Sequence, residues 1–418
     1  MSVTELRPRT PAETRLLQLA EARGENENAR RPAIEALRRD GLPTRRVEAW
    51  HYTDLRQLLG KRLGTDDAVA ALRGTGESML EPFVHGSAVI DLDAPQDAHL
   101  PAGLTIEKSD EQSDWQATPN HLDRSIDTVR ALNVAFGAVS NTMTVAAGTT
   151  LDQPVEMRAA AGAQSHAFTR VVLGEGSKSI FVERLEGGPS GVPSTGVNTL
   201  DVGAGAEVLW IVAQEKAFDA THLGQLSVRL EADSVFKLFV LNAGGGLVRY
   251  EVHTEVAGEG ADVQIRGVNL LQDGQHIDVT TTLNHTVENT TATETFRNVV
   301  LGGHGVFQGM IKVARGAQKT DAKMACNSLL LSDEGDFSAK PELEIFADDV
   351  QCGHGATAGE IDANHLFYLM SRGIPLDQAR ALLIKAFVTE VVEQLEEEAV
   401  ENALNARIDA WLSGHDAR

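Results

Sequence analysis

The chain has 418 residues, with 60 acidic and 37 basic side chains and a formal net charge of −23. This charge argues against nucleic acid as a partner, because phosphate binding requires a basic surface, and it disfavours an anionic membrane leaflet. No apolar run approaches the roughly 18 residues that a membrane span needs, and the N-terminus lacks the apolar core of a signal peptide. Because Cys326 and Cys352 are the only cysteines, disulfides do not hold the fold together, and we expect a protein of the reducing cytoplasm.

The N-terminal region is predicted to be helical. A helix-start signature begins at Thr10, and a second helical pattern ends at Gly41. The following stretch, residues 45–55 (RRVEAWHYTDL), places Trp50 and Tyr52 among charged residues. It is either a docking surface or the edge that seats the helices on the next domain, and the second interpretation is the more common one.

From about residue 86 to residue 360 the apolar residues alternate with a period of two, which predicts β-strands separated by Gly, Asp and Asn turns. The predicted strands are residues 87–92, 170–173, 179–182, 208–212, 226–230, 235–241, 263–270, 276–283, 295–300, 305–313 and 327–331. One interruption, residues 123–136, has helical spacing. The low aromatic content, 5%, favours a solenoid, but no strict repeat is visible, so that barrel, sandwich and β-helix all stay open.

Several polar features of this region have two interpretations. The Thr- and Asn-rich run of residues 280–295 is either a polar groove or, more commonly, a solvated face with Thr–Thr cross-strand pairs. Residues 174–179 (GEGSKS) superficially resemble a phosphate loop, but no helix follows them, so a turn is predicted. His304, between two glycines, is interpreted as a turn residue. No GxxxxGK[ST], HExxH, GxSxG or CxxC motif is present.

Residues 341–362 (PELEIFADDVQCGHGATAGEID) form the candidate site. Two short strands are predicted, at residues 342–346 and 350–354, and the second would project Cys352 and His354 from the same face. A thiolate and an imidazole together suit zinc, copper or iron–sulphur chemistry, but two ligands make only half a site. The alternative is structural, since most cysteines in folded chains are small buried hydrophobes.

The last part of the chain returns to helical spacing. A turn at residues 371–375 precedes a helix whose opposite face, with Arg380, Lys385 and Glu390, is expected to stay free. The predicted apolar face of this helix consists of Ala379, Leu382, Leu383, Ala386, Phe387 and Val391. A final helix with Leu404, Ile408 and Trp411 is expected to cover that face.

The segment ADDVQCGHGATAGEID, followed by LFYLMSRGI, closely resembles the C-terminal signature of the SufD branch of the SufB/SufD family, which serves SUF iron–sulphur cluster assembly. Three blocks upstream resemble that family in the same order: AQKTD at residues 317–321, NSLLLS at 327–332 and PELEI at 341–345. The resemblance is strong across about residues 306–392. It is weaker at RRVEAWHYTDL, so that it covers most of the chain.

The resemblance implies a mainly β protein with a right-handed parallel β-helix (solenoid) core at residues 86–362. An N-terminal helical domain, residues 1–85, and a C-terminal helical domain, residues 363–418, would flank that core. It also implies a scaffold subunit without catalytic activity of its own, which pairs with SufB and docks the SufC ATPase through Arg372, Gly373, Arg380 and Lys385.

A nascent iron–sulphur cluster would then form transiently at the SufB interface, with no cofactor bound tightly by the isolated chain. His354 would bring an imidazole, whereas Cys352 is either a helper ligand or a packing residue. SufB carries a cysteine at the position that resembles Ile345, so the partner would supply the missing thiolate. Without its partner the chain could pair with itself through the same interface, and the sequence leaves its oligomeric state open. The alternative is a carbohydrate-active β-helix enzyme, which would need clustered carboxylates and usually secretion.

Overall fold

The computed structural model describes residues 8–23, 27–63, 81–95, 98–109, 127–159, 166–187 and 193–414. Its helices are α1 (Pro11–Glu21), α2 (Glu27–Asp40), α3 (Leu55–Arg62), α4 (Thr128–Ala135), α5 (Ala363–Ser371), α6 (Leu376–Val392) and α7 (Glu398–Gly414), with short 3-10 helices at Glu48–Trp50 and Glu393–Leu395. The capping box predicted at Thr10 is present, and Gly41 follows α2 with a positive φ. Part of the helix predicted at residues 123–136 lies outside the described residues, and α4 is its described part.

The strands form two nine-stranded sheets, which we call sheet A and sheet B. Sheet A contains β1 (Ala88–Asp91), β4 (Val155–Arg158), β6 (Lys178–Leu185), β8 (Glu207–Gln214), β10 (Val235–Asn242), β12 (Asp262–Leu271), β14 (Thr291–Val300), β16 (Asp321–Leu330) and β18 (Gln351–Gly359). Sheet B contains β2 (Leu104–Lys108), β3 (Val139–Val145), β5 (His166–Leu173), β7 (Ser194–Val202), β9 (Thr221–Leu230), β11 (Leu247–Val256), β13 (His276–His285), β15 (Gly303–Val313) and β17 (Gly335–Ile345).

From β3 to β18 the strands alternate between the two sheets, so that two consecutive strands make one turn of a coil. Neighbouring strands within each sheet pair in parallel, except β2 with β3, which pair antiparallel. This arrangement is a parallel β-solenoid, with helices in the N-terminal and C-terminal parts of the chain, as predicted. It excludes the barrel and the sandwich. The sequence pattern missed β2, β3, β4, β7 and β11.

The space between the inner faces of the two sheets, which we call the lumen, is filled by rows of side chains in register. Trp210, Leu238 and Ile265 occupy one such row on β8, β10 and β12, and all three are fully buried. Trp210 also stacks on Phe181 of β6, with ring centroids 5.6 Å apart. Burial of each large apolar side chain contributes about 1.5–3 kcal/mol, so the lumen is the main source of stability.

A ladder of amide side chains runs along one edge of the lumen. Gln214, Asn242, Asn269 and Asn298 are successive register partners on β8 to β14. Asn242 donates to Asn269 and Asn269 donates to Asn298, each over 2.7 Å. Because a shift of one residue would separate these buried amides from their partners, the ladder also fixes the register of sheet A.

The stretch at residues 45–55 seats the N-terminal helices on the outer face of sheet B. Trp50 is fully buried, and the guanidinium of Arg249 lies 4.0 Å from the centroid of its ring. Arg249 also donates to the backbone carbonyl of Ala49 over 2.8 Å, and the hydroxyl of Thr53 bonds His276 over 2.8 Å. These contacts support the seating interpretation rather than a free docking surface.

The C-terminal helices cover the outer face of sheet A. Ile384 and Val388 of α6 and the predicted Leu404 and Ile408 of α7 form one buried cluster with outward-facing residues of β8 to β14, such as Ile211. The predicted apolar face of α6 is wrong in part, because Leu382 is 50% exposed and Ala386 is also exposed. Helix α6 is apolar on more than one face, so periodicity alone could not choose the buried one. No helix in the described part of the chain is long and apolar enough to span a membrane.

The amide ladder gives a direct test of the register. Replacing Asn269 with Ala removes two buried hydrogen bonds and leaves Asn242 and Asn298 without this partner, so we expect the free energy of unfolding to fall by about 1–3 kcal/mol. The matched control is Asn284→Ala, at a partly exposed position on the outer face of β13, which should change it by less than about 0.5 kcal/mol. Denaturant titration measures both, and equal losses would show that the ladder contributes nothing specific.

Candidate functional site

The last turn of the solenoid, formed by β17 and β18, is covered on one side only. Each of these strands is the terminal strand of its sheet and pairs with a single neighbour, β15 or β16. We call this turn the open end. Apolar side chains are exposed there, with Ile345 39% and Phe346 58% exposed. Unpaired strand edges beside exposed apolar residues are typical of a surface that receives another chain.

Cys352 and His354 lie on β18, and both face the lumen at the open end. Cys352 is in register with Ala322 and His354 is in register with Met324, and both register partners are buried in the lumen. The prediction that the two side chains share a face is therefore confirmed. Cys352 is half-buried and packs against the apolar core of the lumen, whereas His354 is exposed. The flanking Gly353 and Gly355 face the opposite side of the strand, where an added Cβ would meet no atom within 4 Å.

The surroundings of Cys352 favour the protonated form of its thiol. Partial burial raises the pKa of the Cys352 thiol, and the charge of Asp321 raises it further. The thiol is therefore protonated at neutral pH, and a metal that binds it must displace the proton. Among the residues that the structure describes, no group of three His, Cys, Asp or Glu side chains could hold a metal ion. Within the described residues, Cys352 and His354 therefore make up at most two ligands of a metal site.

The first predicted strand of the site is the end of β17. Ile345 is in register with Val313, which is buried in the core of the lumen. The position at which the SufB/SufD resemblance places a cysteine in SufB thus borders the same lumen as Cys352 and His354. Sequence spacing identified the two candidate ligands on β18, but only the register shows that residue 345 belongs to the same end.

Two polar features are placed differently from the prediction. His304 is a strand residue of β15 and not a turn residue, and its Nε2 lies 2.9 Å from the hydroxyl of Ser338. Thr280 and Thr282 on β13 are buried, whereas Thr291 and Thr293 on β14 are exposed, so only the second part of the run is a solvated face. Thr280 and Thr282 line a groove beneath the N-terminal stretch, together with residues such as Gln308. The segment at residues 174–179, which superficially resembles a phosphate loop, contains a turn, as predicted. Gly176 lies in this turn with a positive φ.

Helix α5 carries a second surface. None of its residues is buried, and its exposed apolar side chains continue into α6. These residues, which we call the α5 patch, are Phe367, Tyr368, Met370, Leu376 and Leu382. The apolar residues of a globular helix normally pack inward, so a helix without a buried residue indicates a surface that another protein covers.

The four predicted docking residues are not equivalent. Arg372 caps α5, stacks over the ring of Tyr368 at 5.0 Å and donates to its hydroxyl over 2.9 Å. Gly373 follows with φ of +87°, which a larger residue would adopt with strain. Arg380 is half-buried and lines a cavity between α5, α6 and the end of the solenoid. Lys385 forms an ion pair with Asp409 of α7 at 2.8 Å.

The expectation that the face of α6 with Arg380, Lys385 and Glu390 stays free is wrong. Lys385 is held by Asp409, and Glu390 accepts from Arg297 of β14 over 2.8 Å. The physical reason is that α6 lies between the solenoid and α7, so that two of its sides make contacts. The surface left for a partner is the apolar α5 patch with Arg372 at its edge.

Comparison with known proteins identifies the family of the chain. Residues 156–387 match the family model described as "SUF system FeS cluster assembly, SufBD core domain". The chain is 29% identical to the iron–sulphur cluster assembly protein SufD of Escherichia coli, over 91% of this chain and 92% of that protein. It is 26% identical to the SufBD family protein slr0076 of Synechocystis, over 88% of this chain and 87% of the relative. A SufBD family protein of Mycobacterium tuberculosis, Rv1462, is 25% identical over 89% of each chain.

Proposed function

Because the chain belongs to the SufBD family of the SUF iron–sulphur cluster assembly system, we propose that it is a scaffold subunit of that system without catalytic activity of its own. The observation that carries this proposal is the open end, where a thiol and an imidazole face the lumen beside unpaired strand edges and exposed apolar residues. Soft sulphur and imidazole ligands fit iron–sulphur chemistry. The nascent cluster is the cargo of the site and is bound transiently.

The partner at the open end is SufB. Parallel strands at the edges of β17 and β18 offer free backbone donors and acceptors to the strands of a second solenoid. SufB would also bring the cysteine that this chain lacks at Ile345, so that thiolate and imidazole meet at the joint surface. A second copy of this chain fits the same edges geometrically but supplies no extra thiolate at that position. We therefore expect the isolated chain to form a homodimer that SufB displaces.

The partner at the α5 patch is the SufC ATPase. Binding there places an ATP-hydrolysing subunit next to the end of β18, because α5 begins at Ala363, four residues after that strand ends at Gly359. A movement of α5 is thus transmitted directly to the strand that carries Cys352 and His354. The cavity lined by Arg380 beneath α5 leaves space for such a movement. We place the assembly in the cytoplasm, since both cysteines are free.

The enzyme alternative has less support. A glycosidase needs two carboxyl groups free to act as acid and base or nucleophile. The carboxylates in the groove of sheet B are each occupied: Glu48 and Glu342 pair with Lys340, and Glu344 pairs with Lys312. Among the described residues that line it, this groove therefore has no free pair of acids of the kind that sugar hydrolysis requires.

His354→Ala tests the half-site. The side chain is exposed, so we expect folding and SufB binding to be preserved, with a change in stability below about 0.5 kcal/mol. Cluster maturation in a complementation assay should fall by about tenfold or more, because a metal site that loses a ligand is strongly weakened. Cys352→Ser should cause a smaller loss. His85→Ala, which removes an exposed histidine before β1, is the matched control and should mature clusters normally. Normal maturation by His354→Ala would refute the half-site.

The α5 patch is tested by binding of SufC to correctly folded variants. Phe367→Ala and Arg372→Ala should each weaken the affinity by about 1–3 kcal/mol, because aromatic and arginine side chains carry most of the binding energy of an interface. Lys385→Ala should cost less, since Lys385 already binds Asp409. Arg46→Ala, at an exposed arginine of the N-terminal region, is the control and should have no effect. If titration calorimetry finds the SufC affinity unchanged in both patch variants, the docking site lies elsewhere on the chain.

A further inference from the structure

A carboxyl group lies inside the lumen without a hydrogen-bond partner. Glu294 of β14 is fully buried, and neither of its carboxyl oxygens has a hydrogen-bond partner among the residues that the structure describes. The hydroxyl of Thr281 is near enough to influence the carboxyl group, but its geometry does not meet the criteria for a hydrogen bond. A buried carboxylate without compensation is strongly disfavoured, so the group keeps its proton more firmly than an exposed glutamate. Burial raises its pKa to about 7.

Glu294 points along the same row of the lumen as His354. On sheet A, Glu294 is in register with Met324, and Met324 is in register with His354. The carboxyl group is therefore two strands behind the exposed imidazole, at a distance of roughly 10 Å between the backbones. One buried methionine lies between the two residues, so the medium between them is less polar than water, whereas the imidazole itself is exposed to solvent.

Among the described residues that surround Glu294 in the lumen, none of those named below changes its charge near neutral pH. Its register partner on β12 is Ile265, and Thr281 approaches from sheet B. On β16 the nearest titratable group is Cys326, whose pKa burial raises to about 12, so that it stays a neutral thiol. Arg297 of β14 makes its contacts on the outer face instead, with Glu390 of α6.

We propose that Glu294 is a proton store of the lumen that is coupled to the open end, so that positive charge bound beside Cys352 and His354 releases its proton. The proposal rests on the proposed function, because iron ions that reach the open end before sulphide and thiolates neutralise them supply that charge. The O–H bond of the carboxyl group breaks, the carboxylate remains in the lumen and the proton passes to water. The new carboxylate then compensates part of the charge of the cargo.

The coupling is reciprocal, and its size follows from the distance. A unit charge about 10 Å away, in surroundings between protein interior and surface, shifts a pKa by about 0.5–1 pH unit. The same interaction strengthens cation binding at the open end by an equal factor when Glu294 is ionised. Deprotonation of Glu294 thus favours loading, and reprotonation favours release of the cargo.

The test places a positive charge at the open end without metal or partner, under conditions that keep the isolated chain monomeric. His354→Lys puts an ammonium on the inward face of β18, and Thr357→Lys puts the same group on its opposite face, where Thr357 meets Asn327. Infrared difference spectroscopy against Glu294→Gln identifies the protonated carboxyl band of Glu294 and follows it from pH 5 to pH 9. We expect a midpoint near pH 7 in the parent chain, a decrease of about 0.5–1 pH unit in His354→Lys and less than half of that decrease in Thr357→Lys.

Stability supplies a second measurement. The folded-state pKa of Glu294 is raised above its unfolded value, so the group destabilises the fold increasingly as the pH rises from about 4.5 to about 7. Glu294→Gln removes this penalty and should raise the denaturation midpoint more at pH 8 than at pH 5.

Two results overturn the proposal. An unchanged midpoint in His354→Lys, or equal shifts in both lysine variants, shows that the open end and Glu294 are not coupled. A Glu294 carboxyl group that is already ionised at pH 5 shows that it stores no proton. Both measurements use the isolated chain, so they do not depend on SufB or SufC. If the SufB or SufC predictions fail while His354→Lys shows the expected shift, the proposed function is refuted and the coupling is still supported.

Discussion

Parallel stacking in register is the constraint on which the rest of this structure depends. Each inward position of one turn lies on the same position of the next turn, so every strand relies on two neighbours for its hydrogen bonds and for cover of its inner side chains. The turn made of β17 and β18 has one neighbour only, and the coil therefore ends in exposed strand edges and an open lumen. A solenoid that stops without a cap creates a binding surface, and this chain places its thiol and imidazole there.

The two helical regions cover the sides of the solenoid and leave that end free. On sheet B, the N-terminal helices pack on apolar residues such as Leu223 and also on a buried charged group, in which Arg249 pairs with Glu251 at 2.8 Å and with Asp278 beneath Trp50. Removing one partner of such a group leaves a buried charge uncompensated, which is costly. The group therefore favours the one position of the helices in which all of its charges are paired. On sheet A the contact is apolar, through α6 and α7. The helix between them and the open end, α5, has no buried residue.

The sequence predicts those parts of the fold that depend on local patterns. Alternation predicts strands such as β10 and β12, and the spacing of Cys352 and His354 predicts their shared face. It misses β11, because Arg249, Glu251 and His253 are polar residues that the N-terminal region or neighbouring strands bury. Periodicity alone could not distinguish the solenoid from a barrel. Stacked strands share register positions from turn to turn, but the residues at those positions need not be alike. The row Ile265, Glu294, Met324, His354 contains four different side chains. Only the register reveals that Glu294 lies behind the site.

The central claim is that the open end is the surface that meets SufB, and hydrogen exchange of the backbone amides tests it most directly. Amides of β17 and β18 should exchange rapidly in the isolated subunit under conditions that keep it monomeric, because their outer edges have no partner. Addition of SufB should slow exchange in residues 335–359 by about tenfold or more, as expected for amides that enter a new sheet, and should leave α1 to α3 unchanged. A complex that forms while exchange at residues 335–359 stays the same, with protection elsewhere on the solenoid, would contradict this account.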